Sequence, residues 1–206
     1  GKPVSEPRML VLGTQLFYGN IRNNRLTDGT IEAKLEDYLF MFWVCPPNLE
    51  AVSPELPQGV LCATPLVTRA QQNFANYRTQ LVGMGCSPSE VVTTIEFTTY
   101  ATKKEPKAGT VEFVALDPTE SEQAYIESMS KWLESEEGAR SLVHAVEEIL
   151  NNYNVIMLAD AFTTAARQRK AFQNDFYGTS NVVAEVESSG AELLSLPASF
   201  EEVPLS

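Results

Sequence analysis

The hydrophobic pattern changes between residues 31 and 45. From Ile31 to Leu35 apolar and polar residues alternate, which predicts a strand with one face towards solvent. From Tyr38 to Cys45 the run YLFMFWVC is apolar at every position and ends at two prolines. A short aromatic run of this kind favours a strand over the alternative, a helix, and a strand apolar on both faces is covered on both faces. We therefore predict a central strand and ask whether both covering layers come from this chain.

Several other segments have the composition of strands. Residues 8–16 read as a strand in which Gly13 marks a bulge or bend. Asp28-Gly29 predicts a tight hairpin turn between segments 21–26 and 31–35, since both central positions of that turn need positive φ. A short strand is expected at 60–63. Two further runs rich in β-branched residues predict a long hairpin with a basic tip, at 91–100 and 110–116.

The helical period appears in four places. Residues 68–82 repeat apolar side chains at helical spacing and end at Gly83-Met84-Gly85. Asp117, followed by proline and then Glu120, predicts a capped helix start, with the helix ending at 136–138. A further helix is expected at 139–151, with an inward face of Leu142, Val146, Ile149 and Leu150. The last is expected at 155–176, although 155–158 alone could be a strand.

Together these elements predict an α+β fold. A largely antiparallel β-sheet with one internal helix forms a β-rich domain at 1–116, and a helical segment at 117–176 packs on that sheet. Residues 177–206 form an extended C-terminal tail rich in serine, glycine and acidic residues. We expect this tail to be flexible in isolation and to become ordered by docking on its own body or on a neighbouring subunit.

Charge and cysteine content narrow the range of partners. The 206-residue chain has a formal net charge of −12, which disfavours nucleic acids and anionic membranes as partners at long range. Its three cysteines, Cys45, Cys62 and Cys86, include no C-x-x-C pair, so neither a disulfide framework nor a zinc site is indicated. The longest apolar run is far shorter than the roughly 20 residues of a membrane helix. We expect a protein of the cytoplasm, or of a virion, without a membrane segment or cofactor.

Candidate catalytic residues are sparse. The single histidine, His144, lies opposite the apolar face of its predicted helix and reads as a solvated surface residue. The carboxylate clusters, Glu120 with Glu122 among them, fall at predicted helix starts or on polar faces rather than in a recognisable cleft. Residues 83–85 lack the remainder of a phosphate-binding loop. An enzyme would have to use dispersed carboxylates in a pocket that the sequence does not reveal.

Basic residues cluster despite the acidic total, and some lie beside aromatic residues. Sheets that bind single strands combine stacking aromatic rings with cations that follow the phosphate backbone. A nucleic-acid site of this kind would use Phe17, Tyr18, Arg22, Arg25, Lys103, Lys104 and Lys107. A further basic run, 167–170, lies on a predicted helix. The alternative interpretation places the aromatics in the core and the cations on a solubilising surface.

The end of the chain adds a resemblance. The six residues Phe200, Glu201, Glu202, Val203, Pro204 and Leu205 resemble the acidic tip of bacterial single-stranded-DNA-binding proteins. In that family a run of acidic residues precedes an apolar-proline-apolar group that recruits partner proteins. The resemblance implies a partner-binding tail and covers six of the 206 residues.

Two functional hypotheses follow. The first is a non-catalytic structural or assembly subunit of a virion or another large complex, a homo-oligomer or hetero-complex. Its subunit contacts would use the proline-rich stretch 46–59 and the C-terminal tail. The alternative is a single-stranded nucleic-acid-binding protein whose acidic tail recruits partners.

Overall fold

The computed structural model describes residues 7–21, 23–25, 31–33, 35–46, 59–101 and 108–177. These residues form strands and helices in the order β1(Leu10–Asn20), β2(Asn23–Arg25), β3(Ile31–Ala33), β4(Glu36–Val44), β5(Cys62–Val67), α1(Thr68–Gly83), β6(Val92–Tyr100), β7(Ala108–Leu116), α2(Glu120–Leu133), α3(Glu136–Asn152), β8(Asn154–Met157) and α4(Phe162–Tyr177). The main sheet has four strands in the order β5-β4-β1-β8, and every pairing is antiparallel. The predicted α+β class with antiparallel sheets is confirmed.

The doubly apolar run is β4, and it is an inner strand of this sheet, as predicted. On one face, Tyr38 and Phe40 pack with Phe17 of β1 and Ile149 of α3. On the other face, Met41 and its neighbours pack with residues of α1 and β7, namely Phe74, Tyr77, Leu81 and Phe113. Both layers that cover β4 therefore come from this chain.

The glycine in β1 marks a bulge, as the sequence predicts. The register with β4 runs from Val11 opposite Trp43 directly to Gly13 opposite Phe42, so Leu12 is the extra residue. An extra residue leaves its backbone unpaired and bends the strand locally. The bulge lies where β1 passes the middle of α1.

The long hairpin predicted at 91–116 forms as β6 and β7, which pair along their whole length. It is a separate two-stranded sheet rather than part of the main sheet, which corrects the prediction of a single sheet. Two backbone hydrogen bonds between Met9 and Thr93, 2.9 and 2.7 Å long, join the hairpin to the chain just before β1. Its tip, 102–107, lies outside the described residues.

The remaining elements before residue 86 lie close to their predicted positions. β2 and β3 pair as the predicted hairpin, although the turn at 26–30 lies outside the described residues. The strand expected at 60–63 forms later, as β5, and continues directly into α1. The stop predicted at 83–85 is confirmed, because Gly85 has a positive φ of 75° and the amide of Cys86 donates to the carbonyl of Leu81.

The boundaries of the later helices differ from the prediction. The N-cap of α2 is Thr119 rather than Asp117, and Thr119 and Glu122 form a reciprocal capping box. Helix α2 ends at Leu133, before the predicted end at 136–138. Helix α3 then begins at once, because the Ser135 hydroxyl accepts a hydrogen bond from the amide of Gly138 and caps it.

The ambiguous segment at 155–158 is a strand, β8, and the last helix begins only at Phe162. The segment predicted as helical therefore contributes an edge strand to the main sheet, beside β1. Helix α4 packs on the α1 side of the sheet through Ala165 and Phe172, which contact Tyr18 and Leu158. The proline-rich stretch at 47–58 and the tail at 178–206 lie outside the described residues.

Candidate protein-binding surface

Strand β8 lies at the edge of the main sheet. Among the described strands it pairs only with β1, with Met157 opposite Phe17 and Asn154 opposite Asn20. An edge strand presents unpaired backbone amides and carbonyls on its outer side and is a template for a further strand. The outer side of β8 is thus the part of the sheet from which another chain can extend it.

Three exposed apolar side chains lie in and just before this strand: Leu150, Tyr153 and Met157. They are 38%, 42% and 47% exposed, and we call them the β8 edge surface. The Tyr153 ring lies 6.2 Å from the ring of Phe40, measured between centroids, and Phe40 in turn makes an edge contact with Phe17 at 5.1 Å. Since Met157 is the cross-strand partner of Phe17, the β8 edge surface is the outer rim of one core cluster.

The local sequence explains why this rim is exposed. Tyr153 caps the end of α3 in an extended conformation, its amide bonded to the carbonyl of Ile149, and the chain then turns directly into β8. Leu150, predicted to face inward, lies on the outer side of the helix, because Ile149 takes the buried position. Val143, seven residues earlier and therefore on the same side of α3, is also exposed.

Polar side chains are also exposed on α3. His144 is 72% exposed, as the sequence predicts, and its Nδ1 lies 3.9 Å from a carboxylate oxygen of Glu147. Asn152 donates to the backbone carbonyl and the carboxylate of Glu148.

The two aromatics of the predicted nucleic-acid site lie in the core. Phe17 is completely buried and Tyr18 is 5% exposed, so neither presents a ring face to solvent. Gln173 of α4 donates to the Tyr18 hydroxyl, and the Arg169 guanidinium lies over the Tyr18 ring at 6.0 Å. Arg169 also forms two hydrogen bonds with the carboxylate of Asp37, at 2.9 and 3.0 Å. Helix α4 thereby covers Tyr18.

The structure describes one cation of that predicted site, Arg25, which belongs to β2. The other cations of the predicted site lie outside the described residues, namely Arg22, Lys103, Lys104 and Lys107. At the described end of the β6–β7 hairpin, the Arg69 guanidinium lies 5.7 Å from the centre of the Tyr100 ring. Phe97 of β6 is 72% exposed. The structure therefore shows one cation–aromatic pair at Tyr100, which lies three residues before Lys103 in the sequence.

The same hairpin also carries two negatively charged side chains. Glu96 and Glu112 are cross-strand partners, and both are exposed. Directly opposite side chains share one face of a two-stranded sheet, so their carboxylates repel each other and any phosphate that approaches that face.

One carboxylate is buried where the sequence pattern indicated a solvated surface. Glu122, expected on a solvated helix start, is fully buried, and both of its oxygens accept hydrogen bonds from Arg8, at 2.6 and 2.8 Å. Burial by itself would raise the pKa of Glu122, but the hydrogen bonds from Arg8 and Thr119 outweigh it and lower the pKa below its usual value. The spacing Thr119-x-x-Glu122 was the available signal, because it matches a capping box. This carboxylate links α2 to the start of the chain and remains ionised.

No family model, curated protein or solved structure matches the chain. Within the described ranges, no group of three or more histidine, cysteine or acidic side chains is arranged to hold a metal ion. None of the helices that the structure describes is long and apolar enough to cross a membrane. The six residues that resemble a partner-binding tip, 200–205, lie outside the described part of the chain.

Proposed function

We propose that this protein is a non-catalytic structural or assembly subunit that self-associates through the β8 edge surface. One observation carries the proposal: Leu150, Tyr153 and Met157 are exposed in and just before β8, whose outer side pairs with none of the described strands. Exposed apolar groups that form a contiguous patch mark interaction sites. An open strand edge adds backbone hydrogen bonds to the same contact.

The occupant we assign to this surface is a second copy of the chain. Two β8 strands can pair antiparallel about a twofold axis, so that each copy offers the same residues to the other. This arrangement joins two four-stranded sheets into one continuous sheet and covers Met157 and Tyr153 in both copies. The pairing of two β8 strands would be antiparallel, as is the existing pairing of β1 with β8.

The other edge of the main sheet is less suited to such pairing. Strand β5 carries Pro65, which has no amide hydrogen to offer a further strand. Proline is a common device by which natural proteins protect an edge strand. Strand β8, Asn154–Met157, contains no proline. The difference between the two edges favours a single, closed dimer over an open array of sheets.

The test is the mass of the full chain in solution, measured by multi-angle light scattering over a concentration series. We expect the mass to rise from monomer to dimer, and we expect Met157→Lys to remain monomeric because a lysine ammonium would lose its water in the interface. Val82→Lys is the matched control, since Val82 is also exposed and apolar but lies near the end of α1. Circular dichroism confirms that each variant is folded.

A strict monomer at every concentration would overturn the proposal, and so would association of Met157→Lys at the wild-type concentration. Deleting residues 178–206 separates the contribution of the tail, which we also propose as a subunit contact, from that of the β8 edge surface. An assembly of this kind would serve a virion or another large complex, in the cytoplasm or in the particle itself.

A second candidate function, binding of single-stranded nucleic acid, is favoured by the Arg69–Tyr100 pair, since Tyr100 closely precedes the lysine-rich segment in the sequence. Fluorescence anisotropy with a single-stranded oligonucleotide tests it. Binding that weakens steeply with salt, is lost in Tyr100→Ala and strengthens when Glu201 and Glu202 are removed would support it. Absence of binding at low salt rejects it.

A further inference from the structure

We infer that Met157 is an oxidation site and that its conversion to the sulfoxide prevents pairing at the β8 edge surface. In this step the sulfur forms a bond to one oxygen atom of hydrogen peroxide, the O–O bond breaks, and the peroxide is reduced to water. The product carries a polar side chain in place of an apolar one. The inference rests on the proposed self-association and adds a means of regulating it.

The position of Met157 in the ladder gives its backbone a part in this edge. The amide of Leu158 donates to the carbonyl of Leu16 at 2.9 Å, and Met157 is opposite Phe17. Bonded and non-bonded pairs alternate along an antiparallel ladder, so the amide and carbonyl of Met157 point away from β1. A further strand would therefore bond to the backbone of the same residue whose side chain lies exposed beside it.

Exposure distinguishes Met157 from most of the other methionines. The chain has five methionines, and all of them lie in the described ranges. Met9 and Met41 are core residues, each 3% exposed, and Met129 is half-buried on α2. Met84 and Met157 are exposed, at 62% and 47%. Since the oxidant must reach the sulfur atom, we expect sulfoxide to form first at these two positions.

Met84 provides an internal comparison. It is the C-cap of α1, and its amide donates to the carbonyls of Gln80 and Leu81. It belongs neither to β8 nor to the helix that precedes β8. A sulfoxide at Met84 therefore reports how far oxidation has proceeded without altering the β8 edge surface.

The effect on association follows from the loss of water around the oxidised sulfur. When two β8 strands pair about a twofold axis, Met157 is covered in both copies, and a sulfoxide oxygen there loses hydrogen bonds to solvent. Burying one such polar group without a partner weakens binding by about tenfold or more. With both copies oxidised, we expect the dissociation constant of the dimer to rise by roughly a hundredfold. Association should in turn protect the Met157 sulfur from peroxide.

The experiment treats the full chain with hydrogen peroxide, removes the peroxide with catalase, and measures the mass by multi-angle light scattering over a concentration series. Peptide mass spectrometry gives the fraction of sulfoxide at each methionine, and circular dichroism confirms that the treated protein is folded. We expect the treated wild type to form dimers only at a much higher concentration than the untreated protein. Methionine sulfoxide reductases for both epimers, with dithiothreitol as the reductant, should restore association.

Two variants separate Met157 from the other oxidisable groups, and each is compared with its own untreated sample. Met157→Leu should show no change in mass on treatment, because leucine has no sulfur. Met84→Leu should respond to peroxide as the wild type does. Both variants keep the three cysteines, so thiol oxidation cannot explain a difference between them.

The rate of oxidation in the wild type is a second measurement, and it needs no variant. As the protein concentration rises, the rate at Met157 should fall relative to the rate at Met84. An untreated protein that stays monomeric at every concentration would overturn the proposed function together with this inference. If the untreated protein associates, three results would overturn this inference alone: undiminished association after complete oxidation of Met157, an equal response to peroxide in Met157→Leu, or a rate ratio that does not depend on concentration.

Discussion

Replacing Glu122 with glutamine removes the negative charge from a buried ion pair while keeping the shape of the side chain. The wild-type carboxylate is bound by Arg8 through two hydrogen bonds, and one of its oxygens also accepts the amide of Thr119 at 2.7 Å. Arg8 also donates to the backbone carbonyl of Asp117 at 2.9 Å. The substitution therefore leaves the mostly buried guanidinium of Arg8 without the negative charge of Glu122.

The expected cost follows from this burial. Removing one partner of a buried ion pair costs about 3 to 5 kcal/mol, because the other charge stays desolvated. The side chain of Glu122 is fully buried, but the side chain of Arg8 is 18% exposed and therefore keeps part of its hydration. We therefore expect the lower end of the range, about 3 kcal/mol of unfolding free energy near neutral pH. Glu120→Gln, an exposed glutamate in the same helical turn, should cost only about 0.5 kcal/mol through the helix dipole.

Urea unfolding followed by circular dichroism measures both variants across a pH series. The folded-state pKa of Glu122 is lowered below the usual 4.5, so its contribution is complete above about pH 4.5 and is lost as the pH falls through the lower folded-state value. The difference in unfolding free energy between wild type and Glu122→Gln should thus be constant at higher pH and shrink below about pH 4.5.

Two results would refute this reasoning. The first is a loss for Glu122→Gln no larger than that for Glu120→Gln, which would mean that the buried pair contributes no more than a surface charge. The second is a difference between wild type and Glu122→Gln that stays unchanged at acidic pH, since glutamine cannot titrate and the carboxylate must.

Three further predictions address packing, charge and cysteine reactivity. Gly19→Ala should cost about 3 kcal/mol in urea unfolding, because its Cβ would lie 2.3 Å from the carbonyl oxygen of Asn154 on β8. Gly109→Ala, whose Cβ meets nothing within 4 Å, should be nearly neutral. Glu96→Lys should stabilise the hairpin by about 0.5 kcal/mol, by replacing a cross-strand repulsion with an attraction. Cys45 should react with iodoacetamide far more slowly than the partly exposed Cys86, because burial raises the pKa of Cys45 to about 11.

Each of these has a clear contrary outcome. Equal unfolding midpoints for the two alanine variants would contradict the close approach between β1 and β8. A less stable Glu96→Lys protein would show that the facing glutamate is not the dominant neighbour. Equal alkylation rates in the native state, followed by mass spectrometry, would contradict the burial of Cys45, and unfolding in urea should make the two rates converge.

Local pattern predicted much of the fold, because period and turn chemistry act over a few residues. The all-apolar run of β4 indicated an inner strand, and the glycine of β1 indicated its bulge. Helix α1 appeared within one residue of its predicted end. The start of α2 was displaced because Asp117 and Thr119 can both cap a helix and each has a glutamate three residues later, and the capping box that forms is that of Thr119 with Glu122.

The proposed sites were much harder to predict. Glu122 lies at the first turn of a helix, as several exposed glutamates do, and its partner Arg8 is 114 residues away. Leu150 and Ile149 are adjacent apolar residues of α3, and only packing against β4 decides which of them is buried.

The sequence by itself determined the type and approximate position of most strands and helices, and the double burial of β4. Their apolar spacing and capping residues are properties of short segments. Only the tertiary structure decided that both layers on β4 come from this chain, that β8 is an edge strand among the described strands of the sheet, and that Glu122 is buried with Arg8. These features depend on contacts between residues far apart in the chain, and similar local patterns are compatible with several such arrangements.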